Sequence, residues 1–167
     1  ETDWWNPGCP PTRVVLVPGA LFFALSGENF DAHDFLDQAV AAGAAGLVVR
    51  DLPDGLDPGR SAVIQVNDTL LALQKLAHWY RGKLDVVVIG ITGSNGKTST
   101  KDFTLSVIGQ RYQVHATKGN LNNHIGLPLT VLETDDDDDV LVVEMGMNHS
   151  GEIAPLCEIA QPHIGII

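Results

Sequence analysis

Between Gly90 and Lys101 the chain reads GITGSNGKTSTK, a stretch whose residue types could together hold phosphate. Glycines let backbone N–H groups turn inward around phosphate oxygens, a lysine neutralises their charge, and a neighbouring hydroxyl offers magnesium a ligand. Gly93, Gly96, Lys97 and Thr98 fill those roles here, with Ser94, Asn95 and Ser99 between and after them. The stretch follows the apolar run Val86-Val87-Val88-Ile89 and precedes Phe103, Val107 and Ile108, which have helical spacing. Strand, glycine turn and helix N-terminus form the setting in which such a loop binds phosphate. One feature departs from the common form. Ile91, not a glycine, stands five positions before Gly96, and the glycines fall instead at Gly90, Gly93 and Gly96.

Other residues could act with this loop. Glu144 directly follows Val140-Leu141-Val142-Val143, at the carboxyl end of an expected strand, where open α/β sheets place their ligands. From position alone it is either a magnesium ligand or a solvated glutamate. Asn120, Asn122, Asn123 and His124 crowd one expected loop, where amides could position oxygens without adding charge or could simply make turns. Asn120 and Asn123 are the favoured functional pair. His149 is equally placed to contact phosphate or to cap the following helix. His78, His115 and His163 read as structural or exposed. The run Asp135 to Asp139 reads as a solvated, self-repelling loop, since it has no EF-hand spacing.

The elements that must carry these residues come from periodicity. Leu21-Phe22-Phe23-Ala24-Leu25 reads as a buried strand, and residues 33–42 as a helix with Phe35, Leu36, Ala39 and Val40 on one face. Gly43 ends that helix. Strands follow at 46–49 and 62–66, and Asp68 or Thr69 can cap a helix bearing Leu70, Leu73, Ala77 and Tyr80 on one face. Arg81-Gly82-Lys83 reads as a joint, dividing the chain into domains 1–83 and 84–167. Beyond it come strand 86–91, a helix near 98–109, strand 112–116 and a helix near 126–133. Strand 140–144, a helix near 151–160 and strand 163–167 complete the series. The alternation predicts an α/β fold: a small α/β domain, then a phosphate-loop domain built on a parallel sheet. Because the chain closes on Ile164-Gly165-Ile166-Ile167, which reads as a strand, the second domain is expected to continue downstream.

The totals narrow the partners. The chain has 167 residues and a net charge of −11, which disfavours non-specific nucleic-acid binding. No apolar run approaches the roughly 20 residues that cross a membrane, so no membrane insertion is expected. Glu1 opens the chain without a signal peptide's basic and apolar regions, which fits a cytoplasmic fragment. Cys9 and Cys157 lie far apart without Cys-x-x-Cys spacing, and Cys157 reads as a small core residue. Trp4 and Trp5 read as part of a packed terminus.

Several stretches resemble the Mur ligase family. Thr92-Gly93-Ser94-Asn95-Gly96-Lys97-Thr98 is similar to its Thr-Gly-x-x-Gly-Lys-Thr/Ser loop, which accounts for the displaced glycine. Residues 118–128 (KGNLNNHIGLP) and 144–153 (EMGMNHSGEI) resemble the member that adds D-alanyl-D-alanine to UDP-N-acetylmuramoyl-tripeptide. Upstream, Thr12-Arg13, Pro18-Gly19, Leu21-Phe22 and residues 27–35 (GENFDAHDF) resemble its UDP-binding domain, with Pro11 where the family usually has Asp. The resemblance covers nearly the whole chain from about residue 12. It implies an ATP-dependent amide-bond ligase of peptidoglycan precursor synthesis that works through an acyl phosphate, is cytoplasmic, and is monomeric.

Its implied cofactors are ATP and Mg2+. ATP would be held by Gly93, Ser94, Asn95, Gly96, Lys97, Thr98 and Ser99, and the metal by Thr98 and Glu144. Lys97 and Glu144 would serve catalysis. Thr12, Arg13, Asn29, Asp31, His33, Asn120 and Asn123 would bind substrate. The residues carried here would form only part of an active site, so the fragment alone is expected to be inactive. Two rivals diverge on particular residues. A sister ligase forming the tripeptide would show Thr-Thr-Pro and Glu-Val-Ser-Ser-His stretches, and a folate polyglutamate ligase belongs to the same class. A non-ligase nucleotide switch would not need the unit over residues 12–80.

Overall fold

The computed structural model describes residues 16–27 and 30–167. The chain divides into two compact units, Glu1–Ala72 and Leu73–Ile167. In the first, β1 (Leu21–Phe23), β2 (Gly46–Val49) and β3 (Ala62–Gln65) form a parallel sheet in that order. A 3-10 turn (Ala32–Phe35) and α1 (Leu36–Ala41) cross from β1 to β2. Central β2 is buried at all four positions, and Leu36, Ala39, Leu47 and Val49 form the core with Ala24 and Ala32. The segment expected as a buried strand over 21–25 is shorter and half exposed, because β1 is an edge with one neighbour. Gly43, with φ +86°, ends α1 by a Schellman pattern: Ala44 N–H donates to Ala39 O and Gly43 N–H to Val40 O.

Asp31 opens the 3-10 turn. Its Oδ1 accepts from the His33 N–H at 3.0 Å, from Ser26 Oγ at 3.0 Å and from His33 Nδ1 at 2.5 Å. His33 Nε2 accepts the Arg50 N–H at 3.0 Å, which fixes the proton of the neutral ring on Nδ1. Desolvation pushes the Asp31 carboxyl upward, but the His33 backbone and ring and the Ser26 hydroxyl outweigh it. The net effect holds the carboxyl below its ordinary value.

The second unit is a parallel sheet ordered β5-β6-β4-β7. Its strands are β4 (Val87–Ile91), β5 (Val114–Ala116), β6 (Val140–Glu144) and β7 (Ile164–Ile166). Helix α3 (Lys97–Ile108) covers one face, where Leu105 and Ile108 pack on Ile89, Ile91, Val140 and Val142. On the other face α4 (Gly126–Leu132) and α5 (Ile153–Ala160) cover Val88, Leu141 and Val143. Among the described residues no helix is long and apolar enough to cross a membrane.

Three sequence expectations shift. The boundary lies before residue 83, inside α2 (Thr69–Arg81), because the later turns of that helix belong to the second unit. Ala77 joins its core, the Tyr80 hydroxyl donates to Thr134 O, and buried Arg81 donates from Nε to Ala160 O. Arg81 is therefore a tie and not a joint. At the helix start Asp68 caps, accepting the Leu71 N–H, while the Thr69 hydroxyl donates to Ala24 O. On α3 the expected apolar face is rotated: Phe103 is 72% and Val107 71% exposed. The inward stripe is Lys101, Leu105 and Ile108, and a lysine at an inward position hid it from a hydrophobic count. Lastly, the acidic run is not wholly solvated. Asp138 is buried and accepts the Asp135 N–H, and Asp139 accepts the Gln113 N–H.

Two outcomes follow from this packing. A Cβ on Gly126 would lie 2.4 Å from Leu121 Cα, so Gly126→Ala must displace the loop before α4. Urea unfolding should show a loss of about 1–3 kcal/mol, the usual cost of overpacking. Asp31→Asn keeps the cap and removes its charge. Because the folded carboxyl titrates below its unfolded value, its stabilisation is present above the ordinary 3.8 and fades as pH falls through the lower folded value. The stability gap between wild type and variant should thus be widest near neutrality and close in acid, as urea melts across pH would read.

Candidate nucleotide site

Strand alternation turns Val140, Val142 and Glu144 of β6 toward α3, and the register sets Ile91 opposite Glu144. The glycine loop leaves β4 just past Ile91, so it emerges beside the Glu144 carboxylate. Gly93 (φ +135°) and Gly96 (φ +77°) take backbone conformations that L side chains rarely adopt, and Gly96 stands at the N-cap of α3. Ser94, Asn95, Thr98 and Ser99 are exposed around the helix start. The Lys97 ammonium donates to Gly93 O at 2.9 Å, which holds it over the loop.

Glu144 is 3% exposed and has no ion-pair partner among the described residues. Its Oε2 accepts from Thr98 Oγ1 at 3.0 Å, its Oε1 from Asn122 Nδ2 at 2.8 Å, and its N–H donates to Thr117 Oγ1 at 2.9 Å. A buried carboxylate next to a hydroxyl, both at the mouth of a glycine loop, is a hard-oxygen pair of the kind magnesium takes together with phosphate oxygens and water. No three His, Cys, Asp or Glu side chains converge as a metal group among the described residues. The donor set thus fits a cation whose remaining ligands come from nucleotide and water.

Of the asparagine cluster, the structure brings Asn122 to Glu144. Asn123 Oδ1 instead accepts the N–H groups of Ile125 and Gly126, opening α4, and Asn120 is exposed. The turn decides which amide faces inward; the Asn122 N–H bonds Asn120 O and Asn122 O accepts the Gly146 N–H. Thr117 and Lys101 are the residues that sequence reasoning passed over, and Asn122 is one that it favoured only weakly beside Asn120 and Asn123. His149 donates its backbone N–H, as Asn148 does, to Glu152, which lowers the Glu152 carboxyl; its ring is exposed. His78 pairs with Glu158 O, His163 accepts the Val88 N–H, and His115 Nε2 is buried without a partner in the described structure. Asp31 and His33 lie together in the first unit, whereas Thr12, Arg13 and Asn29 fall outside the described residues.

Residues 91–167 match the family described as the Mur ligase middle domain. The UDP-N-acetylmuramoyl-tripeptide--D-alanyl-D-alanine ligase of Bacillus subtilis is 51% identical over 148 residues, covering 88% of this chain and 32% of the relative. The ligase of the same name from Escherichia coli is 43% identical, covering 91% of this chain and 33% of its own length. A crystal structure of MurF from Acinetobacter baumannii superposes with a TM-score of 0.81 at 38% identity, over 89% of this chain and 32% of that one. MurF ligase from Thermotoga maritima in complex with ADP gives a TM-score of 0.76 at 36% identity, over 87% and 33%. The chain spans about a third of the length of the relatives it matches. By these matches in sequence and fold, the chain belongs to the Mur ligase family.

Proposed function

We propose that this chain is the nucleotide-binding and substrate-anchoring part of an ATP-dependent ligase that joins D-alanyl-D-alanine to UDP-N-acetylmuramoyl-tripeptide. The observation that carries the reading is the glycine loop opening α3 with Thr98 on Glu144, in a chain 51% identical over 148 residues to a ligase of that name. The loop amides and Lys97 bind and orient the transferred phosphoryl group and stabilise the charge that builds on it as the tripeptide carboxylate attacks. Thr98 and Glu144 would hold Mg2+, which supplies charge neutralisation at the phosphates. The resulting acyl phosphate must be kept from water until the dipeptide amine reaches it.

In this reading the first unit takes the UDP end of the substrate through Thr12, Arg13, Asn29, Asp31 and His33. Asp31, at 40% exposure, supplies the accessible oxygen, while His33, at 11% with both ring nitrogens engaged, orients it. The enzyme acts as a cytoplasmic monomer, and the 167 residues alone, which span about a third of the relatives' length, should form no product.

Lys97→Ala in the full-length enzyme should cut ligation roughly 10²–10³-fold, the usual range for one lost electrostatic contact to the transition state. Its melting temperature should stay near wild type, because Lys97 contributes no buried apolar surface to the core clusters. Normal ligation by this variant would refute the phosphate-loop reading. Glu144→Gln should behave differently. It keeps the shape and removes a buried charge that has no cationic partner, so scanning calorimetry without nucleotide should show a melting temperature equal to or above wild type. Ligation should nonetheless fall by about 10²-fold or more.

A further inference from the structure

Lys101 is a buried cation to which the nucleotide reading gives no task. It lies one helical turn beyond Lys97 on α3 and is 6% exposed. Its ammonium donates to Thr117 O at 3.0 Å, and its nearest carboxylate, Asp102 Oδ1, is 3.7 Å away on an exposed side chain. Taking an ammonium out of water is costly unless close partners replace its hydration. One peptide oxygen and a solvated carboxylate compensate only in part. A leucine or methionine would fill the stripe beside Leu105 and Ile108 without that cost.

The partner explains the placement. Thr117 is buried and bonded at three points: its N–H donates to Val142 O, its carbonyl accepts from Lys101, and its hydroxyl oxygen accepts the Glu144 N–H. Helix α3 therefore reaches Glu144 twice, directly through Thr98 and indirectly through Lys101 and Thr117. Thr98 and Lys101 are three residues apart, so both lie on one helical face. Thr117 also begins the loop that carries Asn122, the other side chain on the Glu144 carboxylate.

We propose that Lys101 is a positioning residue of the nucleotide site. It clamps the end of β5 to α3 and so sets the Glu144 carboxylate, and the loop bearing Asn122, against Thr98 at the spacing a phosphate-bound divalent cation needs. Lys101 acts through Thr117 and touches neither nucleotide nor metal. This role rests on the phosphate-loop reading above, and the test separates the two.

The test measures binding of a fluorescent ADP analogue to the full-length protein, across a magnesium titration and in EDTA. Lys101→Met keeps the length and drops the charge. Thr117→Val keeps shape and carbonyl but removes the oxygen that accepts the Glu144 N–H. Each should raise the magnesium concentration for half-maximal binding roughly tenfold, the low end for residues acting behind a metal ligand, and leave affinity in EDTA unchanged. The double variant should shift no further than either single one, since both break the same chain of contacts. Lys101→Arg should recover part of the shift. If Lys101→Met does not fold, Lys101→Gln, uncharged and shorter, takes its place. Wild-type magnesium dependence in the folded variants, even with a lowered melting temperature, would make Lys101 a packing tie and overturn the proposal. If Lys97→Ala binds the analogue as wild type does, the phosphate-loop reading fails first.

Discussion

The parallel pairing of β4 with β6 is the constraint on which the candidate site depends. It sets Ile91 opposite Glu144, so the loop that leaves one strand emerges beside the carboxylate that ends the other. A slip of one residue would turn Glu144 to the opposite face, away from α3. Burial on both faces forbids that slip. Ile89, Ile91, Val140 and Val142 are matched to α3, while Val88, Leu141 and Val143 are matched to α4 and α5. Apolar packing thus fixes the distance between two polar groups that attract each other only through a hydroxyl.

Around that register three of the second unit's buried polar groups gather beside α3. Glu144, Thr117 and Lys101 are buried there and joined to Thr98 and Asn122 by hydrogen bonds. Such a network is rigid when every member is satisfied and costly when one is not. The carboxylate itself is bonded to a hydroxyl and an amide but to no cation among the described residues. An interior carboxylate left in that condition gives up stability that an apolar residue would keep, an exchange commonly found where a site must receive an ion or a ligand. Gly126 and Gly146 serve the same network from below: the first has no room for a Cβ against Leu121, and the second would bring one to 3.0 Å from the Asn122 side chain.

The first unit is held differently. Its core is small, built on one fully buried strand and the helix that crosses it. Its polar ties include Asp31, Ser26, His33 and the Arg50 N–H, bonded in sequence across the mouth of the sheet. Helix α2 is capped by Asp68 in the first unit and packs Ala77, Tyr80 and Arg81 into the second. A helix shared in this way has no glycine-rich break to mark where one unit stops, so composition alone sets the boundary too late.

The sequence by itself determined the order of strands and helices, the glycine loop between β4 and α3, and the carboxylate at the end of β6. Those features are local: strand and helix periods are written in neighbouring residues, and Gly93, Gly96, Lys97 and Thr98 form one contiguous turn. The family resemblance was legible for the same reason, since short contiguous stretches carry it. Only the tertiary structure decided which way α3 is turned, which asparagine faces Glu144, and that Lys101 points inward. Each of these is a choice among residues of like type at adjacent positions. It is settled by contacts across the sheet, Lys101 with Thr117 and Asn122 with Glu144, at separations of 16 and 22 residues, which no local pattern records.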